Sequence, residues 1–182
     1  MPARPEVRYT YEDYLSTPED SSQRYEIVDG ELFVTPTPRF RHQEVVTNLA
    51  VTLAALARGH GLGKVVGAPV TFRLRDDTVT EPDLIFIRAD RLDIVVDGRV
   101  VGGPPDLVVE VLSLSNRSYD RNLKRRRYQA ANVPELWILD ADADTLEVWR
   151  PDSVTPERPL DAVEWRVGGH AFRIALADVF RR

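Results

Sequence analysis

Residues 107–112 read LVVEVL, entered through Pro104-Pro105-Asp106 and left through a run of Ser, Leu and Asn. A short apolar run between such borders is a buried strand. Alternation puts Val108, Glu110 and Leu112 on one side, and Leu107, Val109 and Val111 on the other. Neither side is suited to water, so this strand needs protein packed over both of its faces. Glu110 is the exception within it. A lone buried carboxylate costs several kcal/mol unless something pairs with it. A buried salt bridge to an arginine is the plainer partner, and a bound cation is the other.

The rest of the chain supplies the layers. YTYEDYLST (9–17) reads as a short helix, and RYEIVDGELFVTP as a hairpin turning at Asp29-Gly30. From Arg41 to about Arg58, Val45, Val46, Leu49, Leu53 and Leu56 recur at helical spacing, and Gly59 and Gly61 stop the helix. KVVGAPVTFRL is a strand region, Asp76-Asp77 a turn, and TEPDLIFIR another strand. RLDIVVDGRVVGGPP reads as irregular. A helix is expected from about Tyr119 to Ala131. ELWILD and TLEVWR then form a hairpin-like pair, PDSVTPERP a loose surface loop, and EWRVGGHAFRIALADVF two more strands and a closing turn. Strands dominate, with one long helix before them and one among them. The expected fold is α/β (α+β) in character, a mixed sheet with helices on its faces. Residues 1–182 are read as one domain.

Composition narrows the function. No cysteine is present, which removes disulfides, thiolate metal sites and a thiol nucleophile. A net charge of −5 argues against coating nucleic acid by bulk charge and leaves room for a local basic surface. The start, MPARPEVRYTYEDY, lacks the basic-then-apolar layout of a secretory signal, and no apolar run reaches roughly 18 residues. A cytoplasmic location and no membrane partner are therefore expected. Of 24 basic residues only Lys64 and Lys124 are lysine, so each stands out in a chain that otherwise uses arginine.

Two further acids resemble Glu110 in kind. Asp83 stands at the mouth of the apolar strand in TEPDLIFI, and Glu26 lies within YEIVDG. Each has a plainer account, since acids at strand ends usually face water or cap a backbone amide. Brought together, they would make an oxygen-rich site suited to Mg²⁺ or Mn²⁺ rather than zinc. In DRNLKRRRYQ, Asp120, Lys124 and Tyr128 share one helical face. Lys124 can pair with Asp120 or, if the helix packs beside the Glu110 strand, reach the acids. For Arg125 to Arg127 a solvated helix face is the plainer account. Acids and a lysine around a metal form an arrangement for cutting phosphodiesters.

RYEIVDGELFVTPTP, RHQEVVTNL, EPDLIF, PPDLVVEVLS and YDRNLKRRRYQAANVPELWILD, in that order over almost the whole chain, resemble the Uma family of putative restriction endonucleases. The resemblance implies the restriction-endonuclease-like PD-(D/E)xK fold, a central mixed sheet flanked by helices. It matches Asp83 to the aspartate of "PD" and Glu110 to the acid of (D/E)xK. The motif's lysine would fall at Leu112, and its place is taken by Lys124 on the next helix. Glu26 matches an N-terminal acid that completes such sites, and His42 a family histidine lining the pocket, although a helix-end hydrogen bond would account for His42 nearly as well. LSLSN departs from the family's usual turn after Glu110. The implied activity is Mg²⁺- or Mn²⁺-dependent endonucleolytic hydrolysis of DNA. Asp83, Glu110 and Glu26 would hold the metal, Lys124 would act on the attacking water, and Arg121, Arg125 and Arg127 would contact the backbone. A homodimer is expected by analogy. The competing reading is a non-catalytic module that keeps the fold to bind nucleic acid or protein.

Overall fold

The computed structural model describes residues 7–18, 23–35, 37–112 and 120–182, with the backbone alone at 120 and 121. In chain order the elements are α1 (Tyr11–Leu15), β1 (Arg24–Val28), β2 (Glu31–Thr35), α2 (Phe40–Gly59), β3 (Gly63–Gly67), β4 (Phe72–Arg75), β5 (Thr78–Thr80) and β6 (Leu84–Arg88). A 3₁₀ turn (Ala89–Ile94) leads to β7 (Val95–Val96) and β8 (Arg99–Val100), then β9 (Leu107–Leu112). A wide π-type turn (Asp120–Lys124) and α3 (Arg125–Ala130) precede β10 (Glu135–Asp140) and β11 (Thr145–Trp149). β12 (Ala162–Val167), β13 (His170–Ala175) and α4 (Leu176–Val179) follow.

Among the described residues the strands form a five-stranded sheet, β11-β10-β9-β6-β3, a six-stranded sheet, β2-β1-β5-β4-β8-β7, and the hairpin β12-β13. β9 lies at the centre of the first. It pairs in parallel with β10 and antiparallel with β6. The parallel pair cannot be joined by a tight turn and needs a crossover. That crossover brings α3, and with it Lys124 and Tyr128, back onto the sheet.

The alternation read from LVVEVL divides two cores. Leu107, Val109 and Val111 pack with Val45, Leu49, Leu53 and Ala57 of α2 and with the β12-β13 hairpin. Val108 and Leu112 pack on the other side with Ile85, Ile138, Phe72 and Tyr128. Burying one such side chain stabilises the fold by ~1.5–3 kcal/mol. Glu110 therefore points into the second core, 3% exposed.

Several boundaries differ from the sequence reading. KVVGAPVTFRL is split: β3 belongs to one sheet and β4 to the other, because Pro69 between them has no N–H to continue a ladder. RLDIVVDGRVV is not irregular but holds the 3₁₀ turn and the short β7-β8 hairpin. In PDSVTPERP, Glu157 exchanges backbone hydrogen bonds with Val148 (2.8 and 3.0 Å), which ties that loop to β11. The Asp29-Gly30 turn forms as expected, with φ of 53° and 80°, the positive values that a two-residue hairpin turn of this hand demands. Among the described residues no helix is long and apolar enough to cross a membrane.

Candidate active site

Between β5 and β6 the chain passes from one sheet to the other through Glu81, Pro82 and Asp83. The candidate residues converge at this handover. The ladder between β6 and β9 ends at Leu84↔Val109. Beyond it, the Asp83 carboxylate replaces the missing strand partner and accepts the Val111 N–H through Oδ2 at 2.8 Å. Asp83 is thus fixed against the residue that follows Glu110.

Two basic side chains hold the same carboxylate. Arg24 Nη1 donates to Asp83 Oδ1 at 2.7 Å, and His42 Nε2, from the first turn of α2, lies 3.2 Å from Oδ2. His42 Nδ1 is buried with no hydrogen-bond partner among the described residues. Burial alone would push the Asp83 carboxyl up. The His42 hydrogen bond and the charges of His42 and Arg24 outweigh burial and bring it from its ordinary 3.8 down to about 2.

The second cluster is built on Lys124, which is 4% exposed. Its Nζ lies 2.7 Å from Glu26 Oε1 and 3.1 Å from Glu110 Oε1. Glu26 Oε1 also accepts the Glu81 N–H at 2.8 Å. The Tyr128 hydroxyl donates to Glu110 Oε1 at 2.6 Å and lies 3.0 Å from Thr80 Oγ1. Burial first, and then the charge of Glu110, push the Tyr128 hydroxyl well above its ordinary range, so it remains a donor.

The structure thus gathers Glu26, Glu110 and Lys124 into one buried set, with Asp83 and His42 forming a pair beside it. Arg125 instead lies over the Trp149 ring, 4.3 Å from its centroid, and Arg127 pairs with Asp29. The side chain of Arg121 lies outside the described residues. Lys64 is exposed on the edge strand β3, with β6 between it and β9. Arg24 and Tyr128 were not picked out from the sequence as site residues, though a signal existed for each. Arg24 is two residues before Glu26, hence on the same side of β1. Tyr128 follows Lys124 by one helical turn.

The donor set of Asp83, Glu110 and Glu26 is carboxylate oxygen throughout, which fits a hard divalent cation. Among the described residues no three acids or histidines stand ready to grip a metal. Their oxygens face Lys124, Arg24 and His42, so a bound cation must compete with these groups. Alongside runs a cleft of about 480 Å³, with Arg24 and Glu81 in its wall. Glu81 accepts a hydrogen bond from the Tyr14 hydroxyl at 2.7 Å.

A consequence for stability follows from Asp83. Its folded-state carboxyl titrates below its unfolded value, so its contribution is complete above about pH 4 and is lost as pH falls through about 2. That contribution is about 2 kcal/mol. Urea denaturation of wild type should show this loss on acidification, and Asp83→Asn should lack it while being less stable at neutral pH.

Residues 11–176 match the model of Uma2, described as a putative restriction endonuclease. A solved structure of the same fold is the crystal structure of a putative nuclease belonging to DUF820 from Anabaena variabilis ATCC 29413. The two share 20% sequence identity over 94% of this chain and 97% of that one, with a TM-score of 0.73. At that identity the likeness speaks for the fold alone. The fold is restriction-endonuclease-like, with central mixed sheets flanked by helices. Among curated proteins none matches the sequence.

Proposed function

The chain belongs to the Uma2 family of putative restriction endonucleases, and from that premise we propose that it hydrolyses DNA phosphodiester bonds with a divalent metal. The observation that carries this reading is the buried Lys124 ammonium lying between Glu26 and Glu110, beside Asp83. Asp83, Glu110 and Glu26 would hold Mg²⁺ or Mn²⁺. When bound, such an ion supplies an acidified water and offsets phosphate charge.

The chain's own groups do the rest. Lys124 donates from Nζ toward the attacking water or the phosphate oxygen on which charge develops. Tyr128 holds the Glu110 carboxylate in its rotamer, and His42 holds that of Asp83. Arg125 and Arg127, although engaged within the chain, would with Arg121 draw the DNA backbone toward the crossover. Cutting both strands would call for a homodimer. Val95 and Val96, 38% and 49% exposed on the sheet-edge strand β7, offer it an apolar seam.

One observation favours the alternative, a nucleic-acid- or protein-binding module. The acids already have cationic side-chain partners, so burial of Glu110 does not by itself demand a metal. The two readings part on a supercoiled plasmid incubated with protein and Mn²⁺ or Mg²⁺, with a chelator control. Metal-dependent nicked and linear products are expected. Metal binding without cleavage of any DNA or RNA offered would leave the binding module.

A further inference from the structure

Resting on the nuclease reading, we propose that the cleft seats one nucleotide unit of a phosphodiester backbone. We further propose that Arg24 is exchanged there between Asp83 and a phosphate, which couples substrate binding to metal binding.

Arg24 belongs to two environments. Its Nη1 lies 2.7 Å from Asp83 Oδ1, and its side chain is 23% exposed against 4% for Asp83. The same residue lines the cleft. A guanidinium carries five donors in a planar fork and binds carboxylate and phosphate with the same geometry. It can therefore trade one for the other across the cleft wall without leaving β1.

The cleft wall is of mixed charge. Arg24 and Arg99 line it, and so do Glu81 and Asp97, together with Tyr14 and Tyr25. A bare anion gains little from two cations facing two carboxylates. A phosphodiester arriving with a divalent cation gains on both counts: phosphate takes Arg24 and Arg99, and the cation takes the Asp83 carboxylate that Arg24 leaves. At about 480 Å³ the cleft falls in the ~300–1,000 Å³ range of small-ligand sites. That volume matches one nucleotide unit of a strand.

The coupling has a physical cause. A divalent ion at Asp83 competes with Arg24 for Oδ1 and repels its charge, and an Arg24 driven off is a half-buried guanidinium without its carboxylate, which is unfavourable. A phosphate in the cleft supplies the replacement partner through charge-assisted hydrogen bonds. Each ligand therefore removes the obstacle to the other, and the coupling is reciprocal.

The test measures Mn²⁺ affinity by calorimetry, with and without a short single-stranded phosphorothioate oligodeoxynucleotide, which keeps its charge and resists cleavage. In wild type the oligonucleotide should tighten Mn²⁺ binding by roughly 5–150-fold. In Arg24→Ala, Mn²⁺ should bind the free protein more tightly than in wild type, because its competitor is gone. The oligonucleotide should bind the metal-loaded variant at least about tenfold more weakly, and the coupling should collapse to about onefold. Arg24→Lys, which keeps the charge that holds Asp83, guards against a folding defect and should lie between the two. Arg99→Ala should weaken the oligonucleotide and leave Mn²⁺ affinity unchanged. Coupling retained in Arg24→Ala, or an oligonucleotide indifferent to both arginines, overturns the exchange while plasmid cleavage by wild type still supports the nuclease. Wild type that binds no Mn²⁺ under any condition overturns both.

Discussion

Lys124→Ala should lower plasmid cleavage by about 10²–10³-fold and destabilise the protein by about 3–5 kcal/mol. Both effects come from one ammonium. Removing it takes away the proposed donor to the reacting phosphate and the cation that lies between Glu26 and Glu110, each 3% exposed. Two buried carboxylates left that way repel each other and draw protons. Urea denaturation should report the stability loss. Mn²⁺ should then raise the melting temperature more in the variant than in wild type, since a bound cation replaces the missing one. Arg126→Ala, an exposed change on the same crossover, should stay within about 0.5 kcal/mol. Equal cleavage by wild type and Lys124→Ala would mean that the lysine is misassigned. Lys64 would be a poor replacement, since it stands exposed on the far edge strand.

Glu110→Gln should bring cleavage below detection and abolish the Mn²⁺-dependent rise in melting temperature, at a smaller cost to the metal-free fold than Lys124→Ala. The substitution keeps the shape of the side chain and an oxygen able to accept the Tyr128 hydroxyl, while Lys124 retains Glu26 at 2.7 Å. What disappears is the negative charge that would hold a divalent ion. The pair of variants separates two roles for the same residue. If Glu110→Gln unfolds as readily as Lys124→Ala yet still responds to Mn²⁺, Glu110 is a structural ion-pair partner and the metal is held elsewhere.

How far the sequence could foresee this follows from the range of each signal. Glu26, Asp83 and Glu110 were legible as candidates because each interrupts or borders an apolar run, a conflict visible within a few residues, and Lys124 because it is one of only two lysines. α2 and its glycine stop were legible from helical periodicity over five turns. The handover of the chain between sheets at Glu81–Asp83 was not. β5 (TVT) and β6 (LIFIR) both read as strand-forming, and nothing local says that they belong to different ladders. The pairing of Arg24 with Asp83 spans 59 positions, and no periodicity carries across that distance. β7 and β8 have two residues each, too few to display alternation, so their stretch read as irregular.

The point where β6 gives out has a spectroscopic consequence. With Asp83 Oδ2 as its acceptor at 2.8 Å, the Val111 amide proton senses the charge of one carboxylate rather than a neighbouring strand. Its nuclear magnetic resonance is therefore a single-atom reporter on the site. Diamagnetic Mg²⁺ taken up by the Asp83 carboxylate would change the charge this proton senses and shift the Val111 signal, while the amides of Val108 and Val109, farther back in the strand, would keep their positions. An isotope-labelled wild-type sample titrated with Mg²⁺ alone would then distinguish an ion at Asp83 from one bound anywhere else on the surface, with no nucleic acid and no substitution.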